Sequence, residues 1–347
     1  MKEHIRGIFE TWINEETDDF SGVLSVTGIV DGVICQMAVG HRNRAEELPN
    51  TADTAFAVAS GTKLFTGLAV CKLIDEGKLS LDDKLWAILP HDLGQIHKDV
   101  TVYQLLTHTS GVGDYVDEDA ENFDEQMTEL YNKYPVHLWE SLSYYLQMMT
   151  HLPPKFAPGE RYGYSNSGYV LLGLVVEAVS GMTYQEFVKN EIIAPLGLTH
   201  TGFYRADEMP KNTALGYISP ARTNIYGLPI LGGSDGGIYT CATDMDKLWR
   251  AIFNCELLSF DMTDNFLKRH VLIDDNKGYG LGVYLYRNDV GAGLYWVVGA
   301  DSGVGFFSGY YPDAGVVVSG FCNTGWEGCS IIFEELLEEF GWEEFEW

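Results

Sequence analysis

The sequence predicts an α/β (α+β) protein: an antiparallel sheet built from both chain ends and flanked by helices, plus an inserted, mostly helical lobe. Three observations carry this expectation. Strand-prone runs lie before residue 60 and after about residue 278, helical patterns fill the stretch from 85 to about 210, and short turn signals separate the terminal runs. The expected partition is 1–84 with 211–347 as the sheet domain and 85–210 as the inserted helical domain, with the site in the cleft between them.

Residues 22–40, GVLSVTGIVDGVICQMAVG, hold two β-rich runs separated by Asp31-Gly32. Asp-Gly between such runs is a hairpin signal, because both turn positions need positive φ. After Ser60 the stretch GTKLFTGLAVCKLIDEGK reads as a helix, with Leu64, Leu68 and Cys71 on one stripe and Gly77 as its stop. Apolar residues off that stripe predict a helix buried nearly all round. NFDEQMTELYNKY, HLWESLSYYLQMMTHL and SGYVLLGLVVEAVS read as helices between Pro/Gly loops. Strand signals return in YGLGVYLYR, YWVVG, FFSGYYP and GVVVSGF, with turns at Asn288-Asp289 and Asp313-Ala314-Gly315. IIFEELLEEFGW closes the chain as an acidic amphipathic helix with a solvated face.

At 347 residues, with 46% hydrophobic and 21% charged side chains, the chain has ordinary globular composition. Its net charge of −28, from 22 basic and 50 acidic side chains, repels nucleic acid and anionic membranes. The amino-terminal stretch has no signal-peptide core and no segment reaches the roughly 18 apolar residues of a membrane span, so a cytoplasmic monomer is expected. Six cysteines show no CxxC pair and no zinc spacing, which predicts reduced core residues and no metal.

Ser60 and Lys63 form the one Ser-x-x-Lys of the chain, at a strand-to-helix boundary after FAVA. At i and i+3 the two side chains share a helix face, and the helix N-terminus favours negative charge developing on the serine oxygen. A buried lysine there has a lowered pKa and can take the serine proton. Serine is also a good N-cap, and these residues alone leave both readings open. Tyr164, with Asn166 two residues on, lies in a loop before an apolar helix. A tyrosine beside a cationic lysine loses its proton more easily and can shuttle protons, while Asn166 can hold the lysine or a substrate carbonyl. Tyr286-Arg287-Asn288 repeats the Tyr-x-Asn pattern, but runs from a strand into a turn, where both residues are expected for structural reasons.

Ser60-Gly61-Thr62-Lys63 followed about a hundred residues on by Tyr164-Ser165-Asn166 resembles the serine β-lactamase and penicillin-binding-protein family, in its class C and D-alanyl-D-alanine-peptidase branch. LLTHTSGV (105–112), FAPGERYGYSNSGYVLLG (156–173), PLGLTHTGFY (195–204), GGSDGGIYTCATDM (232–245) and YGLGVYL (279–285) resemble family signatures in the expected order. The resemblance implies a β-lactamase/transpeptidase-like fold and an acyl-enzyme mechanism without cofactor. Ser60 would attack a carbonyl, with Lys63 and Tyr164 as coupled base and acid. The oxyanion would be held by the N–H of Ser60 and one from a late strand.

The family's third motif, Lys-Thr-Gly or His-x-Gly, has no plain counterpart. His200-Thr201-Gly202 comes too early and reads as a structural turn. Asp301-Ser302-Gly303, after a strand, is the expected counterpart, lining the substrate with Asn166 and making Val304 the second oxyanion donor. Asp301 would then repel a substrate carboxylate, unless it turns away to hydrogen-bond a loop. His108 reads as a brace. Tyr162, Tyr169 and Trp296 line either the cleft or the core, and Asp235 and Asp244 cap turns or helices. The expected function is a serine hydrolase acting through an acyl-enzyme on a small-molecule or peptide ester or amide, with esterase or aminopeptidase substrates favoured over penicillin. The alternative is a non-catalytic penicillin-binding or sensor module on the same fold.

Overall fold

The computed structural model describes residues 20–28, 32–118, 120, 122–287 and 293–327, together with 7, 10 and 329. The strands of the main sheet among the described residues are β1 (Gly22–Gly28), β2 (Gly32–Val39), β3 (Val271–Leu272), β4 (Lys277–Tyr279), β5 (Tyr284–Arg287), β6 (Gly293–Asp301), β7 (Val304–Tyr311) and β8 (Val316–Cys322). They form one eight-stranded antiparallel sheet in the order β2-β1-β8-β7-β6-β5-β4-β3. Both chain ends therefore build it, as expected, because β1 pairs with β8: Gly22 faces Cys322 and Gly28 faces Val316. Gly32 takes φ +67 at the start of β2, the conformation a tight Asp-Gly turn requires. Asp31 and the Asn288-Asp289 turn lie outside the described residues, as does the closing acidic helix.

β7 and β8 are buried at every position. Alternate residues point into two cores: Phe306, Tyr310, Val317 and Phe321 into the larger, Phe307, Val316 and Val318 into the smaller. Burial on both faces explains why these strands read as continuous apolar runs.

The helices that matter for the site are α1 (Thr62–Asp75), α2 (Phe123–Lys133), α3 (Leu142–Met149) and α4 (Asn166–Ser180). α1 is buried from Thr62 through Cys71, and Gly77 follows its end at φ +70, relieving the left-handed C′ position. α1 and α4 pack against each other, and Leu64, Leu68, Leu172 and Val176 all lie in the larger core. The bend between α4 and the helices after it leaves no single helix, among the described residues, long and apolar enough to cross a membrane.

Candidate active site

Ser60 sits in a tight 3-10 turn, Ala59–Gly61, that runs directly into α1. Its side chain caps nothing; the N-cap position of α1 is Gly61, with no side-chain cap bond. Ala59 takes φ +43, a strained conformation for a residue with a Cβ. Thr62 braces the turn: its hydroxyl donates to the Ala59 carbonyl (2.7 Å) and accepts from the Ile238 N–H (3.1 Å).

Lys63, one helical turn on, is only 3% exposed. Its Nζ lies 2.9 Å from Ser60 Oγ, 2.7 Å from Asn166 Oδ1 and 2.8 Å from the Asp235 carbonyl oxygen. Asn166 Nδ2 donates to Glu118 Oε1 (2.8 Å) and to the Val116 carbonyl (3.3 Å), which fixes the amide oxygen toward Lys63. Two of the three groups around Nζ are therefore pure acceptors, and a neutral amine satisfying both with its two N–H bonds aims its lone pair at Ser60 Oγ. Burial lowers the Lys63 pKa, opposed by the charges of Asp235, Glu118 and Asp114.

The Tyr164 ring centre lies 4.8 Å from Lys63 Nζ. Burial pushes its pKa well above the ordinary phenol value, and Glu118 adds to the push. The sequence suggested the opposite direction; enclosure among Tyr279 and Tyr284 penalises the phenolate and leaves Tyr164 a neutral proton donor. The loop before α4 is held from three sides. Ser165 Oγ caps the helix by accepting the Gly168 N–H (3.0 Å), Asp114 accepts the N–H groups of Asn166 (2.8 Å) and Ser167 (2.9 Å), and His108 Nδ1 accepts the Ser165 N–H (3.1 Å). Burial raises Asp114 to about 6, against the pull of those N–H bonds. His108 is fully buried against the Tyr164 and Tyr169 rings and carries a strongly lowered pKa, from burial first and Lys63 second, so it braces the loop as a neutral ring.

The strand facing Ser60 is β6, and the contact falls at Gly299. A Cβ there would meet the Val58 carbonyl oxygen at 2.1 Å and the Ser60 nitrogen at 2.9 Å. Val297, Val298 and Gly299 thus line the site from this strand. Asp301-Ser302-Gly303 is displaced from the expected position, because Ser302 and Gly303 form the two-residue turn between β6 and β7. The expected amide of Val304 is corrected for the same reason. Val304 pairs with Asp301 across that turn, so its N–H is spent inside the hairpin, whereas residues of the alternate set, Val298 and Ala300, direct theirs away from β7. An isolated glycine inside the strand pattern YWVVGA was the signal for this close approach.

Two connected hollows meet at Ser60 and Ala300. The smaller, about 190 Å³, is lined by Lys63, Tyr164, Tyr284 and Val297. The larger, about 710 Å³, runs between Asp235, the rings of Tyr115, Trp139 and Tyr145, and Tyr131 of α2. Lys63 is the single basic side chain among the described lining residues, whereas Glu118, Asp235 and Asp301 all line the cleft. Asp301 accepts the Ser302 N–H (2.8 Å) at the open mouth; desolvation raises its pKa, with the charges of Glu118 and Asp235 adding to it, but its exposure lets water screen that push. Trp296 and Tyr169 belong to the core, and Tyr162 is half-buried behind Tyr284. His200-Thr201-Gly202 is a turn bound to Asp244, which accepts from the His200 N–H (2.7 Å) and the Thr201 hydroxyl (2.9 Å). Glu118, and Asp235 as a partner of Lys63, gave no readable signal in sequence; each reaches the site by tertiary folding alone.

A crystal structure of a penicillin-binding protein from Bacillus halodurans is 39% identical and superposes with a TM-score of 0.88, over 97% of this chain and 100% of that one. A D-stereospecific amidohydrolase from Streptomyces sp. is 26% identical with a TM-score of 0.80, over 98% and 99%. Penicillin-binding protein 4* of Bacillus subtilis is 30% identical over 275 residues, 74% of this chain, which spans only 57% of that relative's length. The fold is the β-lactamase/transpeptidase-like one. A sequence pattern of the beta-lactamase family matches residues 12–327, and the chain belongs to that family.

Proposed function

We propose that the protein is a serine hydrolase that acylates Ser60 on an ester, amide or peptide carrying no negative charge beside the reacting carbonyl. The arrangement of Lys63 carries this reading: a buried amine held by two acceptors, with its remaining position 2.9 Å from Ser60 Oγ. Lys63 takes the Ser60 proton as Oγ attacks the carbonyl carbon. The N–H groups of Ser60 and Ala300 hold the oxyanion. Tyr164, lining the smaller hollow, gives its proton to the departing oxygen or nitrogen there and recovers one from the Lys63 ammonium. The leaving group thus occupies the small hollow and the acyl group the large one. Water then attacks the acyl-enzyme, with the same pair working in reverse.

Substrate charge follows from the lining. Val297 lines the site from β6 and carries no charge, Lys63 is the one basic side chain among the described lining residues, and Glu118, Asp235 and Asp301 repel a substrate carboxylate. Esters and amides with neutral or cationic acyl groups fit better than penicillins. The test is labelling with a fluorophosphonate followed by intact mass, with turnover of p-nitrophenyl esters. A single adduct that Ser60→Ala abolishes is expected; no adduct, or equal labelling of the variant, overturns the reading.

A further inference from the structure

The large hollow holds a feature that acylation chemistry does not use. Asp235, 7% exposed, places its carboxylate in the hollow's wall, and Tyr115 donates its hydroxyl to Oδ2, fixing the group's orientation. Around it stand aromatic rings: Tyr145 is edge-on to Tyr115, with centroids 5.5 Å apart, and to Trp139, at 5.2 Å. Tyr145 lines the same hollow, is 2% exposed, and its hydroxyl has no hydrogen-bond partner among the described residues. A buried hydroxyl without a partner costs free energy unless something arriving in the hollow satisfies it.

We propose that this end of the large hollow is an ammonium-binding box, in which Asp235 and the Tyr145 hydroxyl receive a positively charged alkylammonium group beside the Tyr115 and Trp139 rings that line it. A carboxylate supplies the countercharge, an oxygen lone pair accepts an N–H, and aromatic rings attract a cation that has lost water. A neutral ligand would leave the carboxylate uncompensated, and an anionic one would be repelled. Because the Asp235 carbonyl also accepts from Lys63, the box adjoins the nucleophile, and the ammonium belongs on the acyl part of the substrate near the carbonyl. This placement on the acyl side rests on the hydrolase reading; the box itself does not.

The test compares benzylammonium, benzyl alcohol and benzoate by calorimetry on the whole protein. Wild type is expected to bind benzylammonium about tenfold or more tighter than the other two, with Asp235→Asn bringing it within about twofold of benzyl alcohol. Tyr145→Phe should weaken benzylammonium severalfold and leave benzyl alcohol unchanged. Equal binding of the three ligands, or a preference that survives Asp235→Asn, overturns the box. Should Asp235→Asn fail to fold, an unchanged benzylammonium affinity in Tyr145→Phe overturns it instead. Fluorophosphonate labelling of Ser60 is read in parallel. Labelling without ammonium preference removes the box and keeps the hydrolase, whereas preference without labelling does the reverse. Protection of Ser60 from the label by benzylammonium is the expected sign that the two sites adjoin.

Discussion

Gly299 lies so close to Ser60 that a Cβ on it would stand 2.9 Å from the serine nitrogen and 2.1 Å from the Val58 carbonyl oxygen. β6 and the serine turn therefore meet backbone against backbone, and Ala300, the next residue, lines both hollows together with Ser60. Both colliding atoms are main-chain, so a side chain at 299 cannot be accommodated by a rotamer change. Gly299→Ala should lower stability by about 1–3 kcal/mol and remove most activity by widening the oxyanion site. Urea unfolding and ester turnover check this; a stable, fully active variant would contradict it.

Lys63→Arg keeps the charge but cannot give up its proton, and should reduce kcat/KM by about 10²–10⁴. In the wild type the unprotonated amine is the base, so kcat/KM rises with pH through the Lys63 pKa, which burial places below 10.5. The alkaline fall belongs to ionisation of Tyr164, which lies above 10. A profile that falls across neutral pH toward the alkaline side would contradict these roles.

Tyr164→Phe removes the proton donor to the leaving group. The loss should depend on that group: large for an anilide, whose nitrogen must be protonated, and small for a p-nitrophenyl ester, whose phenolate leaves unaided. Equal losses on the two substrates would show that Tyr164 acts by position alone.

Asp114 anchors the start of α4 through two N–H bonds. Asp114→Asn leaves one donor unaccepted and should cost about 1–2 kcal/mol. The pH dependence has an unusual sign for an acid. Its folded pKa of about 6 lies above the ordinary 3.8, so proton uptake adds stability as pH falls from 6 toward 4. The gap between wild type and variant should widen over that window, and unfolding at pH 4, 5 and 6 measures it.

Asp301 is exposed, so its charge acts weakly on incoming substrate. Asp301→Asn should raise kcat/KM for nitrocefin, which bears a carboxylate, a few-fold relative to a neutral ester. An unchanged ratio would mean that the rejection of anions lies deeper, at Glu118 and Asp235.

The alternation of strand and helix patterns was enough to place the sheet strands at both ends, the buried helix after Ser60 and its stop at Gly77, because those features depend on local periodicity and on the φ that one residue type tolerates. Ser60 and Lys63 stood out as a pair because they lie one helical turn apart, and Tyr164 because it lies in the loop just before another helix. The register of β6 was not legible. Whether Val304 or Ala300 points its N–H at the serine depends on which hydrogen bonds the β6–β7 hairpin uses internally, and on which residue lies against a turn more than two hundred positions away. The direction of the Tyr164 shift, the hold of Glu118 on Asn166 and the place of Asp235 beside Lys63 were likewise decided only by tertiary structure. Each rests on burial and on distances across the chain, and these have no periodic trace in sequence.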